Sequence, residues 1–212
     1  MSLLDWFFPR RCFLCGEIIS REEDLCAACE EKLPKEPYRR LIALERDRVL
    51  KVVSAVPYSE KFRRALHRLK FQNRRWIARP MGRVTARVLP ADFKADAVTY
   101  VPLSKRSRRN RGYDQSELLA RAIAQAAGLP CVAALEKTRE TEEQHKLPRA
   151  RRAANVENAY RAAAEKAAGK RLLLVDDIVT TGATLRVCAQ ALYAAGALEV
   201  YGMCTADTPL ED

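Results

Sequence analysis

No run of apolar residues in the 212-residue chain approaches the roughly 18 that a membrane-crossing helix needs, so no membrane span is expected. The opening stretch Leu3-Leu4-Asp5-Trp6-Phe7-Phe8 is too short for a secretory leader, carries an acid, and lacks both a basic start and a small-residue cleavage site. A cytoplasmic protein is the resulting expectation. Eight glycines and ten prolines are ordinary usage, which excludes collagen-like and low-complexity chains. No internal repeat is present. Histidine is scarce: His67 and His145 are the only two, each has cations nearby, and a surface position is the reading for both. With 48% hydrophobic and 31% charged residues, the chain has material for one full core and a small appendage, not for disorder or a coiled coil.

Charge is unevenly placed. Residues 38–111 hold 21 Lys+Arg against 5 Asp+Glu, a net of +16, whereas the rest holds 17 against 22, and the whole chain carries +11. So dense a basic block attracts polyanions: nucleic acid, phosphate-rich small molecules or an anionic membrane surface. A solvated face that only maintains solubility is the alternative.

Four of the seven cysteines form two pairs, Cys12-x-x-Cys15 and Cys26-x-x-Cys29, with ten residues between them. Each pair turns both sulfurs toward one point, so the four can occupy the corners of a tetrahedron around Zn2+. Two disulfides or a redox pair are the competing readings, and disulfides rarely persist in a reducing compartment. Four sulfur ligands leave no position for water, so the metal is expected to be structural, replacing a core that some thirty residues cannot build. Trp6, Phe7 and Phe8 read as a hydrophobic contact onto the main domain. Residues 1–37 are taken as this module with its linker, Leu33-Pro34-Lys35-Glu36-Pro37, and residues 38–212 as a second unit. Cys131, Cys188 and Cys204 sit in apolar surroundings and read as core.

Beyond the linker, strand-length apolar runs alternate with helical patterns. Strands are expected over 52–58, 98–103, 171–176 and 198–205, and helices over 60–70, 75–89, 116–127 and 183–195. Such alternation argues for an α/β fold, a parallel sheet flanked by helices. In Leu172-Leu173-Leu174-Val175-Asp176-Asp177-Ile178-Val179-Thr180-Thr181-Gly182-Ala183-Thr184, a doubly buried strand ends in two carboxylates, and a hydroxyl-rich turn then opens a helix. Ligands of open α/β sheets bind at such strand ends. The turn can aim backbone N–H groups and hydroxyls at a phosphate, with the helix dipole behind them. Asp176 and Asp177 would repel a phosphate, but suit a neighbouring diol or the outer sphere of Mg2+. A phosphate beside a diol describes a ribose 5-phosphate. The plainer alternative is a strand followed by a capped helix.

This stretch resembles the motif by which type I phosphoribosyltransferases bind phosphoribosyl pyrophosphate (PRPP). Together with the four-cysteine segment, the whole chain resembles the ComF family, proteins linked to DNA uptake in natural competence that contain a phosphoribosyltransferase domain. The resemblance implies a type I phosphoribosyltransferase-like sheet behind a zinc-ribbon-like module. It also implies PRPP with Mg2+ as ligand, Asp176 and Asp177 on the ribose hydroxyls, and Thr180, Thr181, Gly182, Ala183 and Thr184 around the 5-phosphate. Val101-Pro102-Leu103-Ser104, followed by Arg111-Gly112-Tyr113-Asp114-Gln115-Ser116-Glu117-Leu118, is similar to the family's pyrophosphate-loop region. Ser104 and Lys105 are thereby implied as PRPP contacts, with Arg106, Arg108, Arg109 and Arg111 adding charge to neutralise pyrophosphate. Asp114 and Glu117 also read as a capping box for the next helix.

Thr141-x-x-Gln144-x-x-Leu147, then Arg152-x-x-Asn155 and Ala159-Tyr160, is similar to the flexible loop that closes over PRPP; a plain solvated connection is the alternative. Asp176, Asp177, Arg111 and Gln144 are the implied catalytic residues, for displacement of pyrophosphate from ribose C1 by a nitrogen nucleophile. Purine-salvage relatives carry a further carboxylate where this chain has Thr180, which argues against 6-oxopurine salvage. A second reading makes the fold a non-catalytic PRPP sensor or scaffold in a single-stranded-DNA-binding competence factor, meeting DNA-uptake or recombination proteins. There Arg63, Arg64, Arg68, Lys70, Arg74 and Arg75 would neutralise the nucleic-acid backbone, and Phe71 and Trp76 would stack on bases.

Overall fold

The computed structural model describes residues 9–90, 93–139 and 159–208. Trp6, Phe7 and Phe8, and the Gln144 segment from Thr141 to Asn155, lie outside the described residues.

The first cysteine pair sits in a tight turn closed by Gly16 N–H donating to the Cys12 carbonyl (2.9 Å), with Gly16 at φ +88. Such a backbone conformation suits a residue without a Cβ. Cys26 precedes a short helix, α1 (Ala27–Glu30), that carries Cys29. Strands β1 (Tyr38–Ala43) and β2 (Val49–Pro57) then pair antiparallel. Arg46 and Asp47 in their connection both have positive φ, +56 and +57, the pattern of a two-residue hairpin turn.

The main sheet has the order β1-β2-β7-β6-β3, with β3 (Ala97–Tyr100), β6 (Arg171–Val179) and β7 (Glu199–Asp207) parallel to β2. The sheet is therefore mixed, not wholly parallel, and β1 is the antiparallel exception. That strand reads Tyr-Arg-Arg-Leu-Ile-Ala, and its turn lacks the Asn-Gly signal that announces a hairpin, so nothing local marks it. A smaller hairpin pairs β4 (Leu135–Lys137) with β5 (Tyr160–Ala162).

Side chains of a strand alternate between faces, and β6 divides accordingly. Leu173 and Val175 join one core with Phe62, Leu66 and Leu69 of α2 (Glu60–Phe71), Met81 and Val84 of α3 (Ala78–Ala86), and Leu119 and Ile123 of α5 (Gln115–Ala127). Leu172 and Leu174 join the other, against Leu185, Cys188 and Leu192 of α7 (Ala183–Ala194). A short helix, α6 (Ala164–Ala167), precedes β6. Cys12, Phe13, Leu25, Cys26 and Cys29 belong to the first core. The cysteine module thus shares a core with the helices of the α/β part.

Two expected elements differ. The single helix over 75–89 is a 3-10 turn (Arg75–Ile77) followed by α3. Pro80 has no N–H to donate and is tolerated only near a helix start, where those donors go unused. The basic run after Ser104, read as loop, is helix α4 (Lys105–Arg111). Ser104 caps it by accepting from Ser107 N–H (3.2 Å), and Gly112 at φ +78 ends it.

Candidate functional site

Asp176 and Asp177 lie near the carboxyl end of β6, and the first turn of α5 holds both. Ser116 Oγ donates to Asp176 Oδ1 at 3.1 Å, and Gln115 Nε2 donates to Asp177 Oδ2 at 3.1 Å. Asp176 Oδ1 also accepts from the Asp177 N–H (2.8 Å), and Asp177 Oδ2 pairs with Lys70 Nζ at 2.8 Å. Each carboxylate therefore commits one oxygen to the protein. Two carboxylates side by side make a cluster of strong acceptors at one strand end.

Asp176 meets solvent along one edge, yet enough protein surrounds it that burial, followed by the Asp177 charge, pushes its carboxyl up to about 7. Asp114 supports the arrangement. Its side chain caps α5 by accepting from Ser116 and Glu117 N–H (3.0 and 3.3 Å) and also takes the Leu103 N–H (2.7 Å), tying the end of β3 to the acid pair. Glu117 turns instead to Arg108 and Arg121, so the capping box is half formed.

The turn after β6 lines a small recess with Thr180, Gly182, Ala183 and Thr184, alongside Asp176. Thr181 Oγ1 accepts from Ala183 N–H (3.3 Å), and Gly182 at φ +78 opens α7. A Cβ at Gly182 would stand 2.4 Å from Ile42 Cδ1, so β1 lies directly on this turn. Arg40 binds it as well: Nη1 donates to the Thr180 carbonyl (2.6 Å), while Nε reaches both carboxylate oxygens of Asp207 (3.0 and 2.8 Å) at the end of β7. Asp207 is buried and Arg40 is partly buried. Sequence reasoning passed over Arg40 because it is one cation in a basic block. Gln115 and Ser116 lay within a quoted motif but carried no signal for contact with the acids.

The remaining candidates separate. Arg111 reaches Gln115 Oε1 and stacks over Phe71 (5.1 Å), one residue removed from Asp177. Lys105 is exposed and Ser104 is buried at its cap. Arg63 and Arg64 are exposed beside Glu60, Arg74 is exposed, and Arg75 covers the Tyr113 ring (4.6 Å). Phe71 and Trp76 are 57% and 44% exposed. Arg68 and Lys70 point inward instead, toward the cysteine module and Asp177. The larger cavity, about 380 Å³, lies away from the acids, between the module and the start of α2, lined by Leu14, Leu33, Val56 and Phe62. Its apolar walls do not suit a sugar phosphate.

Cys12, Cys15, Cys26 and Cys29 are all free thiols, with their sulfurs within 4.8 Å of one another. That donor set fits Zn2+ with no open position. Burial pushes the Cys26 thiol up and Cys29 up to about 11, so an incoming metal must displace protons.

Residues 3–39 match the family model described as "Double zinc ribbon domain", and residues 86–210 match "Phosphoribosyl transferase domain". The chain supplies four cysteines in the first region, enough for one ion. It is 31% identical over 206 residues to the DNA utilization protein YhgH of Escherichia coli strain K12, covering 93% of this chain and 84% of that one. Over 227 residues it is 28% identical to competence protein F of Haemophilus influenzae, covering 94% and 99%. Over 190 residues it is 26% identical to competence protein ComFC of Bacillus subtilis, covering 87% and 72%. Among solved structures, the glutamine PRPP amidotransferase of B. subtilis complexed with ADP and GMP aligns at 30% identity with a TM-score of 0.43, over 60% of this chain and 25% of that one. The family matches and the sheet with its acid pair define a phosphoribosyltransferase-type domain fused to a zinc ribbon. Within that class, the chain belongs to the ComF family. Among the described residues, no helix is long and apolar enough to cross a membrane.

Proposed function

We propose that the chain, acting in the cytoplasm, binds PRPP with Mg2+ at the end of β6 and transfers its phosphoribosyl group to an acceptor nitrogen during DNA uptake and natural transformation. One observation carries this reading: the carboxylates of Asp176 and Asp177, held by Ser116 and Gln115, stand beside a threonine-glycine turn opening a helix of twelve residues. The acid pair accepts the ribose hydroxyls, and the turn from Thr180 to Thr184 receives the 5-phosphate. The acceptor lone pair forms a bond to C1 as the C1–O bond breaks, and pyrophosphate leaves with the electron pair. Positive charge builds on the sugar, so positioning and water exclusion matter more than covalent help. Bound Mg2+ neutralises the pyrophosphate. Lys105 and Arg111 add to that neutralisation, Ser104 contributes beside the end of β3, and Gln144 is kept as a catalytic candidate on its sequence motif alone.

The test is calorimetric titration of Mg-PRPP into the wild-type chain and into the Asp176→Ala, Asp177→Ala double variant. Binding to the first alone is expected, and equal heats from both would overturn the assignment. Pyrophosphate release against a panel of nitrogenous acceptors then identifies the acceptor.

A second reading, a single-stranded-DNA-binding factor that uses the fold without catalysis, is favoured by the exposure of Phe71 and Trp76 among Arg63, Arg64, Arg74 and Arg75. It requires binding of a fluorescent single strand that weakens steeply with salt.

A further inference from the structure

Helix α2 touches both chemical centres. Its buried stripe is Phe62, Ala65, Leu66 and Leu69. At about 100° per residue, Lys61 and Arg68 fall together on one flank of that stripe, and Lys70 falls on the opposite flank. On the first flank, Lys61 Nζ donates to Cys29 Sγ at 3.9 Å. Arg68 Nη2 donates to the carbonyls of Phe13 and Leu14 (2.7 and 3.2 Å), the two residues between Cys12 and Cys15. On the second flank, Lys70 holds Asp177 Oδ2.

A Zn2+ ion bound by four thiolates carries a net charge of about −2, so an ammonium group against one sulfur is favourable and helps fix that ligand. The metal in turn fixes the Phe13 and Leu14 carbonyls, because the cysteines on both sides of them are its ligands. Arg68 Nε is buried with no partner, so those two carbonyls are what hold the guanidinium. Loss of the metal would remove that restraint from the flank that seats α2.

We propose that Lys70 is a positioning residue for Asp177 and that the zinc-loaded module, acting through α2, sets where Lys70 stands, so that zinc occupancy and PRPP binding strengthen each other. This rests on the PRPP-binding reading above. Coupling between two bound ligands is reciprocal, so either direction measures it.

The experiment follows zinc loss from the full-length zinc-loaded chain to a chromogenic chelator, with and without saturating Mg-PRPP, alongside PRPP affinity by calorimetry. Mg-PRPP should slow zinc loss about fivefold. Lys70→Met should abolish that protection while leaving zinc loss in the absence of PRPP unchanged, and Lys70→Arg should restore most of it. Lys61→Met should weaken zinc binding about tenfold, with circular dichroism showing a folded chain. PRPP binding to the wild-type chain with no change in zinc loss would overturn the coupling and leave the proposed function intact. Absence of PRPP binding altogether would overturn both.

Discussion

Asp176 carries the least comfortable charge in the site. Its carboxyl is held up near 7 by burial and by Asp177, so ionising it costs more in the folded chain than in the unfolded one. For an acid whose folded value is raised, the sign is that stability falls as pH rises from the ordinary carboxylate range through about 7, and the full penalty stands above that. Asparagine keeps the Oδ1 acceptor for Ser116 Oγ and the Asp177 N–H while removing the charge. Asp176→Asn should therefore stabilise the ligand-free chain by on the order of 2 kcal/mol at pH 8.5, with the gain shrinking toward pH 5. Scanning calorimetry at the two pH values measures it, and an equal gain at both would show that the charge is not the cause.

At the scale of elements, the turn after β6 is shaped by a strand that sequence patterning does not reveal. Strand β1 brings Ile42 against Gly182 and Arg40 against Thr180 and Asp207, so three segments distant in sequence meet on one guanidinium. Arg40→Met leaves the buried Asp207 carboxylate without its partner, and a loss of about 3 kcal/mol in denaturant unfolding is expected. Adding Asp207→Leu removes the stranded charge and should recover part of that loss, giving a clear coupling energy in the double-mutant cycle. Simple additivity of the two changes would count against the arrangement.

At the scale of the whole molecule, the basic block is partly internal. Besides Lys61, Arg68 and Lys70, Arg83 forks onto the buried Asp24 (3.0 Å to each oxygen). These four cations clamp the cysteine module and the acid pair, whereas Arg87 pairs with Glu30 (2.7 Å) on the surface. Because Cys12, Phe13, Leu25, Cys26 and Cys29 share the core of α2 and α3, zinc supports more than its own module. Removing it with a chelator under reducing conditions should lower the thermal midpoint of the whole chain by about 10 °C. Two separate transitions, with the α/β part unmoved, would show that the module is independent.

The sequence alone determined the zinc ligands, the doubly buried strand with its terminal acids, and the turn that follows, because each depends on residues close together in the chain. Cys-x-x-Cys spacing, a four-residue apolar run and a glycine opening a helix are local constraints, and they hold whatever surrounds them. Helix α4 was legible too, in Ser104 and Gly112, but the density of cations drew attention to charge and away from caps. Only the tertiary structure decided which cations serve the fold and which face solvent, since Arg63 and Arg68 are chemically alike and differ by where α2 packs. It also decided that Arg40, Lys70, Gln115 and Ser116 meet the site. Those contacts span 62 to 167 residues for three of them, and a pairing across such a distance is fixed by packing rather than by any neighbour in sequence.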